Sequence, residues 1–289
     1  MARMAGTAAL AEKLLDVAVV STTSVAGGDI CTTTRLRLTD GRSAVIKTRP
    51  QAPSGFFTVE ADGLRRLREA GGAPAPAVLA ADDDCIILDW IEPTRPTTEL
   101  AEAFGRNLAA THASGASAFG AERDGYIGLA PLPNRPSPTW EEFYASRRVM
   151  PYVKAAADRG SLSLEQARTV EQAMKRLPSL TADPEPPALV HGDLWSGNLV
   201  WSADAVHLID PAAHGGHRET DLAMLSLFGA PHLQRIIDAY HEAMPLQDGW
   251  ADRIALHQLH PLLVHAMMFG GAYGPRAAAA AQSLLDGRS

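Results

Sequence analysis

Residues 189–198 read Leu189-Val190-His191-Gly192-Asp193-Leu194-Trp195-Ser196-Gly197-Asn198, and residues 199–211 continue as Leu199-Val200-Trp201-Ser202-Ala203-Asp204-Ala205-Val206-His207-Leu208-Ile209-Asp210-Pro211. A short apolar strand runs into a polar loop. Two further short strands follow, joined by the turn Ser202-Ala203-Asp204-Ala205. Two carboxylates, Asp193 and Asp210, and the amide of Asn198 therefore flank a β-hairpin. Any one of them alone reads as a turn former or a strand end, as Asx residues often are. The spacing of all three around one hairpin is what turns do not require.

Asp193 and Asn198 are separated by four residues, the spacing of the H-x-D-x-x-x-x-N loop of kinases, and Asp210 ends the next strand where a metal-binding aspartate would lie. Phosphoryl transfer needs a carboxylate to receive the acceptor hydroxyl's proton and oxygen ligands to hold Mg²⁺ on the nucleotide phosphates. Asp193 fits the first role, Asn198 and Asp210 the second. His191 reads as a brace for the loop.

Working outward toward the N-terminus, residues 85–88 form an apolar strand that runs into Asp89-Trp90-Ile91 and suits an interlobe hinge. Backbone groups at Asp89 and Ile91 would there read adenine. Residues 32–38 and 43–47 predict an antiparallel hairpin across Thr39-Asp40-Gly41. Residues 55–70 carry Phe57, Ala61, Leu64 and Leu67 as a helical stripe stopped by Gly71-Gly72. Glu60 shares the face of that stripe and needs a partner. Lys47, at the end of the second hairpin strand, is one of only four lysines among 26 basic residues. A Lys47–Glu60 pair would place a cation on nucleotide phosphates; the alternative is a solvated lysine beside a surface glutamate. Ahead of the hairpin, Gly27-Gly28-Asp29 is a candidate phosphate-covering loop. It is neither a Walker A sequence nor a G-x-G-x-x-G fingerprint, and a tight turn fits it nearly as well.

From Thr97 onward the pattern turns helical, with helices predicted over residues 99–112, 140–153, 164–177, 221–228 and 233–244 and a C-terminal pair after Trp250. The expected architecture is α+β and two-lobed: residues 1–91 a small β-rich nucleotide-binding lobe ending in the hinge, residues 92–289 a larger α-helical lobe for catalysis and substrate. A length of 289 residues, 46% of them hydrophobic and 20% charged, supports a substantial core. A net charge of −7 excludes a global basic field for nucleic acid, so phosphate must be held locally. Residues 7–19 read as an amphipathic helix that Glu12, Lys13 and Asp16 keep from being a signal peptide. Polar and breaking residues across 254–273 argue against a membrane span. Cys31 and Cys85 form no disulfide framework or zinc spacing, so a reducing cytoplasm is the expected location.

The segments His191-Gly192-Asp193-Leu194-Trp195-Ser196-Gly197-Asn198, Ile209-Asp210-Pro211-Ala212 and Gly216-His217-Arg218-Glu219-Thr220-Asp221-Leu222-Ala223-Met224 resemble the fructosamine kinase family, within the protein-kinase-like fold shared with aminoglycoside phosphotransferases. The likeness runs from about Gly27 to Tyr273, and its Trp195-Ser196-Gly197 filling is far more specific than the generic loop. The resemblance implies an ATP- and Mg²⁺-dependent phosphorylation of the sugar 3-hydroxyl of ketosamines, after which the ester eliminates and frees the amine, a deglycation. It implies Asp193 as catalytic base, Asn198 and Asp210 as metal ligands, Lys47 as the phosphate-binding lysine with Glu60 as its partner, and Asp221 as a brace for the loop. Some members carry a redox-active cysteine in the glycine-rich loop where this chain has Asp29; Cys31 lies two places on.

There is no H-R-D arginine and no D-F-G, and ten residues between Asp210 and Asp221 leave no room for an activation loop, so a small substrate is expected rather than a protein kinase's. Candidates for its pocket are Trp195, Trp140, Tyr144, Arg147 and His265, with core packing as the alternative for the aromatics. His257, His260 and His265 read as helix and pocket residues rather than a metal site. A kinase of another hydroxylated amine, such as an aminoglycoside, choline or homoserine, shares the generic loop. A non-catalytic ATP-binding module would have lost Asp193, Asn198, Asp210 or Lys47, and all four are present. Oligomeric state is not legible.

Overall fold

The computed structural model describes residues 2–26 and 30–287, so the Gly27-Gly28-Asp29 loop lies outside the described residues. A first helix, α1 (Ala2–Leu15), packs against a five-stranded antiparallel sheet built from β1 (Val19–Ser24), β2 (Thr32–Leu38), β3 (Ser43–Thr48), β4 (Val78–Ala81) and β5 (Cys85–Asp89) in the order β1-β2-β3-β5-β4. The helix expected to reach residue 19 stops at Leu15. Asp16 takes a left-handed conformation (φ 53°) after it, and the β-branched run from Val19 pairs with β2 as an extra strand. The amide of Val19 donates to Glu12 Oε1 at 2.7 Å and fixes that corner. The expected hairpin is β2–β3, with Lys47 opposite Thr33 on one side and Ile86 of β5 on the other.

Helix α2 (Phe56–Glu69) lies between β3 and β4 in sequence and buries the stripe Phe57, Ala61, Leu64 and Leu67 completely. Each large member of that stripe contributes about 1.5–3 kcal/mol of burial free energy. Glu60 sits in the same face. The chain then leaves the sheet and becomes helical. Helix α3 (Thr98–Ala113), N-capped by Thr97, crosses α8 (Leu233–Ala243) closely, because Gly105 has no side chain: a Cβ there would come within 2.2 Å of the Ile236 carbonyl. Between them in sequence come β6 (Gly125–Ile127), β7 (Ala130–Leu132), α4 (Trp140–Phe143), α5 (Met150–Asp158), α6 (Leu164–Lys175), β8 (Ala188–Val190), β9 (Leu199–Trp201), β10 (Val206–Leu208), β11 (His214–Gly216) and α7 (Glu219–Phe228). Helices α9 (Trp250–Phe269) and α10 (Tyr273–Asp286) close the chain.

The helix expected over residues 140–153 is interrupted by a π turn at Tyr144–Val149. Pro151 explains it: proline has no N–H to return to the Arg147 carbonyl, and Arg148 Nη1 donates to that carbonyl instead, at 3.3 Å. Three apolar clusters result. One joins α1 to the sheet, one lies between α2, β5, α3, α7 and α8, and the largest packs the π turn and α5 against α9. The second surrounds the 191–210 loop region and holds Leu194 and Leu208 fully buried beneath it.

Candidate active site

Strand β8 delivers the chain into the loop at His191, which is fully buried. Its Nε2–H donates to the Ile209 carbonyl at 2.9 Å, and its Nδ1 accepts from the Asp193 amide at 3.2 Å. That pattern assigns the neutral Nε2–H tautomer, and burial lowers the imidazole's pKa in keeping with it. Gly192 is the sharp point of the turn: φ is 80°, and a Cβ would stand 2.4 Å from the Ala212 carbonyl. Asp221, buried at the start of α7, accepts from the amides of His191 (2.7 Å) and Gly192 (3.0 Å) and meets His112 Nε2 at 3.1 Å. Tyr240 OH lies 2.8 Å from His112 Nδ1 behind it. Burial opposes the Asp221 charge, but His112, His191 and the Gly192 amide hold its carboxyl below the usual range.

Asn198 turns its amide nitrogen onto Asp193, donating to the backbone carbonyl at 2.8 Å and to Oδ2 at 3.1 Å. Burial and the nearby Asp210 and Asp221 charges push the Asp193 carboxyl up to about 7, against the Asn198 hydrogen bond that lowers it. The 196–198 turn leads into the β9–β10 hairpin, which carries the chain to Asp210 in a left-handed conformation (φ 54°) that aspartate tolerates better than most residues. Lys47 Nζ bonds both Asp210 Oδ1 and Glu60 Oε1, each at 2.7 Å. Burial disfavours this ammonium, yet the two carboxylates outweigh it and raise its pKa, so Lys47 stays charged. Helix α2 is seated on the loop that follows: Arg66 Nη2 donates to the Ala213 carbonyl at 2.7 Å, and a Cβ at Gly63 would stand 3.2 Å from the Pro211 ring.

These groups open into one cavity of about 670 Å³, within the range of small-molecule sites. Leu88, Asp89, Trp90 and Ile91 line it, as do Lys47 and Glu60, Asp193, Asn198 and Asp210, and Trp195, His265 and Phe269. The ring of Trp195 folds back over Gly197, where a Cβ would fall 2.2 Å from it, and stays 40% exposed to the cavity. Asn198 Oδ1 and Asp210 Oδ2 have no protein partner among the described residues. They are hard oxygen donors of the kind Mg²⁺ takes.

Over nearly its whole length, residues 4–287, the chain matches the family model described as fructosamine kinase. The chain belongs to the fructosamine kinase family. A protein of Enterococcus faecium named as a probable ketoamine kinase is 33% identical over 255 residues, 86% of this chain and 90% of that one. The crystal structure of a candidate fructosamine-3-kinase from Thermobifida fusca superposes with a TM-score of 0.93 at 47% identity, covering 96% of this chain and 98% of that one. A macrolide 2'-phosphotransferase, at 18% identity and a TM-score of 0.62 over 98% and 97% of the two chains, shares the fold. This fructosamine kinase family member is accordingly a phosphotransferase on a protein-kinase-like, two-lobed α+β fold.

Three expected pocket residues lie elsewhere. Trp140 stacks on Tyr144 with ring centroids 4.6 Å apart and contacts His217 and His257, while Tyr144 OH donates to the Leu256 carbonyl at 2.6 Å. Both are buried core against α9, and Arg147 does not line the cavity either. For these two aromatics the alternative of core packing is the arrangement found, since their face packs on a neighbouring helix. His257 belongs to a second buried group: His217, Glu219 and His257 place their ligand atoms within 4.8 Å of one another. Arg253 takes both Glu219 oxygens (2.9 and 2.6 Å) and His257 Nε2 approaches one at 3.3 Å, so the group is balanced by its own charges. Sequence reasoning missed His112, which meets Asp221 from 109 residues away, Tyr240 behind it, and Phe269 beside His265. The spacing of Phe269, four residues after His265 on one helical face, was the available signal. No helix among the described residues is long and apolar enough to cross a membrane.

Proposed function

We propose that this phosphotransferase moves the γ-phosphoryl group of ATP, with Mg²⁺, to the 3-hydroxyl of the sugar in a ketosamine, so that the ester's elimination releases the amine. The observation that carries the reading is the single cavity in which Lys47, held on Glu60 and Asp210, faces Asp193 and Asn198. Lobes meeting near residue 91 would place adenine against the backbone of Asp89 and Ile91, which line the same cavity. Lys47 would bind the phosphates, with Glu60 keeping its ammonium aimed.

Asn198 Oδ1 and Asp210 Oδ2 would hold Mg²⁺, which when bound neutralises charge on the transferring phosphate. Asp193 accepts the proton of the attacking sugar hydroxyl. A carboxyl near 7 suits that task, since a base works best when its pKa is close to the operating pH. Asn198 orients it through the amide hydrogen bond. His191 and Asp221 hold the loop backbone and touch no substrate. The test is the position of the phosphate: with fructose-lysine as acceptor, phosphorus–proton correlation by NMR is expected to place it on the oxygen of sugar carbon 3. An ester on any other oxygen would overturn the regiochemistry.

A further inference from the structure

Helix α2 carries Glu60, yet its own sequence anchors its first turn poorly. The N-cap position is Gly55 (φ 75°), which brings no side chain to the free amides, and no acidic residue stands in the first turn. The C-terminal half is fixed by Arg66 on the Ala213 carbonyl and by the contact of Gly63 with Pro211. Glu60 lies between, one turn after Phe56. In protein kinases the helix bearing the corresponding glutamate is set by an activation loop, and the ten residues between Asp210 and Asp221 leave no room for one here. Another element must hold the N-terminal turn.

The hairpin of β6 and β7 does so from the helical part of the chain. The Tyr126 ring lies 5.4 Å from that of Phe56, the first residue of α2, and Phe56 meets Phe57 edge-on at 5.1 Å. The Tyr126 hydroxyl donates to the Ser54 carbonyl at 3.1 Å, just ahead of the cap. Arg123 pairs with Asp62 of α2, and a Cβ at Gly125 would stand 3.2 Å from Val59, the neighbour of Glu60. The hairpin itself has a firm base. Asp124 Oδ1 accepts from the Asn134 amide at 2.7 Å, and the buried Arg148 donates to Asn134 Oδ1 and to the Pro133 carbonyl, each at 2.5 Å. Arg148 Nε also reaches His214 Nε2 at 3.4 Å, and the His214 ring lies against Gly192 of the catalytic loop. One support therefore carries both α2 and the loop of Asp193.

We propose that Tyr126 is a positioning residue for phosphoryl transfer: it seats the uncapped first turn of α2 and so keeps Glu60 on Lys47. This rests on the reading of Lys47 as the phosphate-binding group. Tyr126 also lines the cavity, so direct contact with the acceptor is the alternative that the test must separate.

The test is a mutant cycle of Tyr126→Ala and Glu60→Gln, read by the dissociation constant of Mg²⁺·ATP in calorimetry and by kcat and both KM values with fructose-lysine. The dissociation constant reads the nucleotide subsite whichever acceptor the enzyme takes. Each single variant is expected to weaken nucleotide binding about fivefold, the scale of a displaced charge-assisted hydrogen bond, and to lower kcat about tenfold or more through the misplaced phosphates. The double variant should be no worse than Glu60→Gln to within about twofold, because residues that act through one another do not add. Tyr126→Phe keeps the ring on Phe56 and should return both constants to within about threefold of wild type, losing one neutral hydrogen bond. Tyr126→Leu repeats the cycle with a side chain that fills the site if the alanine unsettles the fold. Losses that multiply in the double variant, a change confined to the acceptor KM, or wild-type constants in Tyr126→Ala beside an impaired Glu60→Gln would overturn the positioning role and leave the role of Lys47 intact. Wild-type constants in Glu60→Gln itself would overturn both.

Discussion

Asp193→Asn is expected to lower turnover by about 10²- to 10⁴-fold, the range for losing a general base, while ATP affinity changes little. The asparagine preserves the carbonyl that accepts from Asn198 Nδ2 and the loop held by Asp221, so the geometry survives and only the proton acceptor is lost. The pH dependence makes a matching statement. Asp193 must be ionised to take a proton, and with its carboxyl raised to about 7 the wild-type rate should fall by one proton's slope as pH drops below that value. The acid limb should vanish from the residual activity of the variant. Full turnover in Asp193→Asn, or an acid limb that persists unchanged in the variant, would remove Asp193 from the role.

The second large effect is on stability. Asp221 is buried, and its two oxygens accept from the amides of His191 and Gly192 and contact His112. In Asp221→Asn one oxygen becomes an NH₂ that faces a donor, leaving a buried N–H unsatisfied and removing the charge from the others. Hydrogen bonds to a buried charge contribute about 1.5–3 kcal/mol each, so the loss should be about 3 kcal/mol, read as a lower denaturation midpoint in urea. The sign of its pH dependence follows from the lowered carboxyl: this stabilisation is present above the unfolded-state pKa and disappears as pH falls through the folded one. Activity should fall as well, through the displaced loop. A midpoint shift of less than about 1 kcal/mol would mean the amides find other partners.

The central loop was legible because its chemistry is local: five positions and one hairpin bring Asp193, Asn198 and Asp210 together. Lys47 and Glu60 were legible for a different reason, a rare lysine and a carboxylate placed in an apolar stripe, and the 2.7 Å contact joins them. Tyr144 and Trp140 were not. A helical face tells which side chains are buried together but not whether the partner is a ligand or another helix, and here it is α9. The π turn needed knowledge of where Pro151 falls in the helix ladder. Strand β1 was hidden by its nearness to α1, and His112 by the 109 residues that separate it from Asp221.

The most direct test of the account is Mg²⁺-dependent ATP consumption with ribulose-lysine and fructose-lysine as acceptors beside choline and an aminoglycoside. The account predicts turnover on the ketosamines, none on the other two, and none on any acceptor when Mg²⁺ is withdrawn. Turnover confined to choline or the aminoglycoside would contradict the proposed acceptor, and an absence of turnover on all four in protein that binds ATP would contradict the reading of the cavity as a ketosamine kinase site.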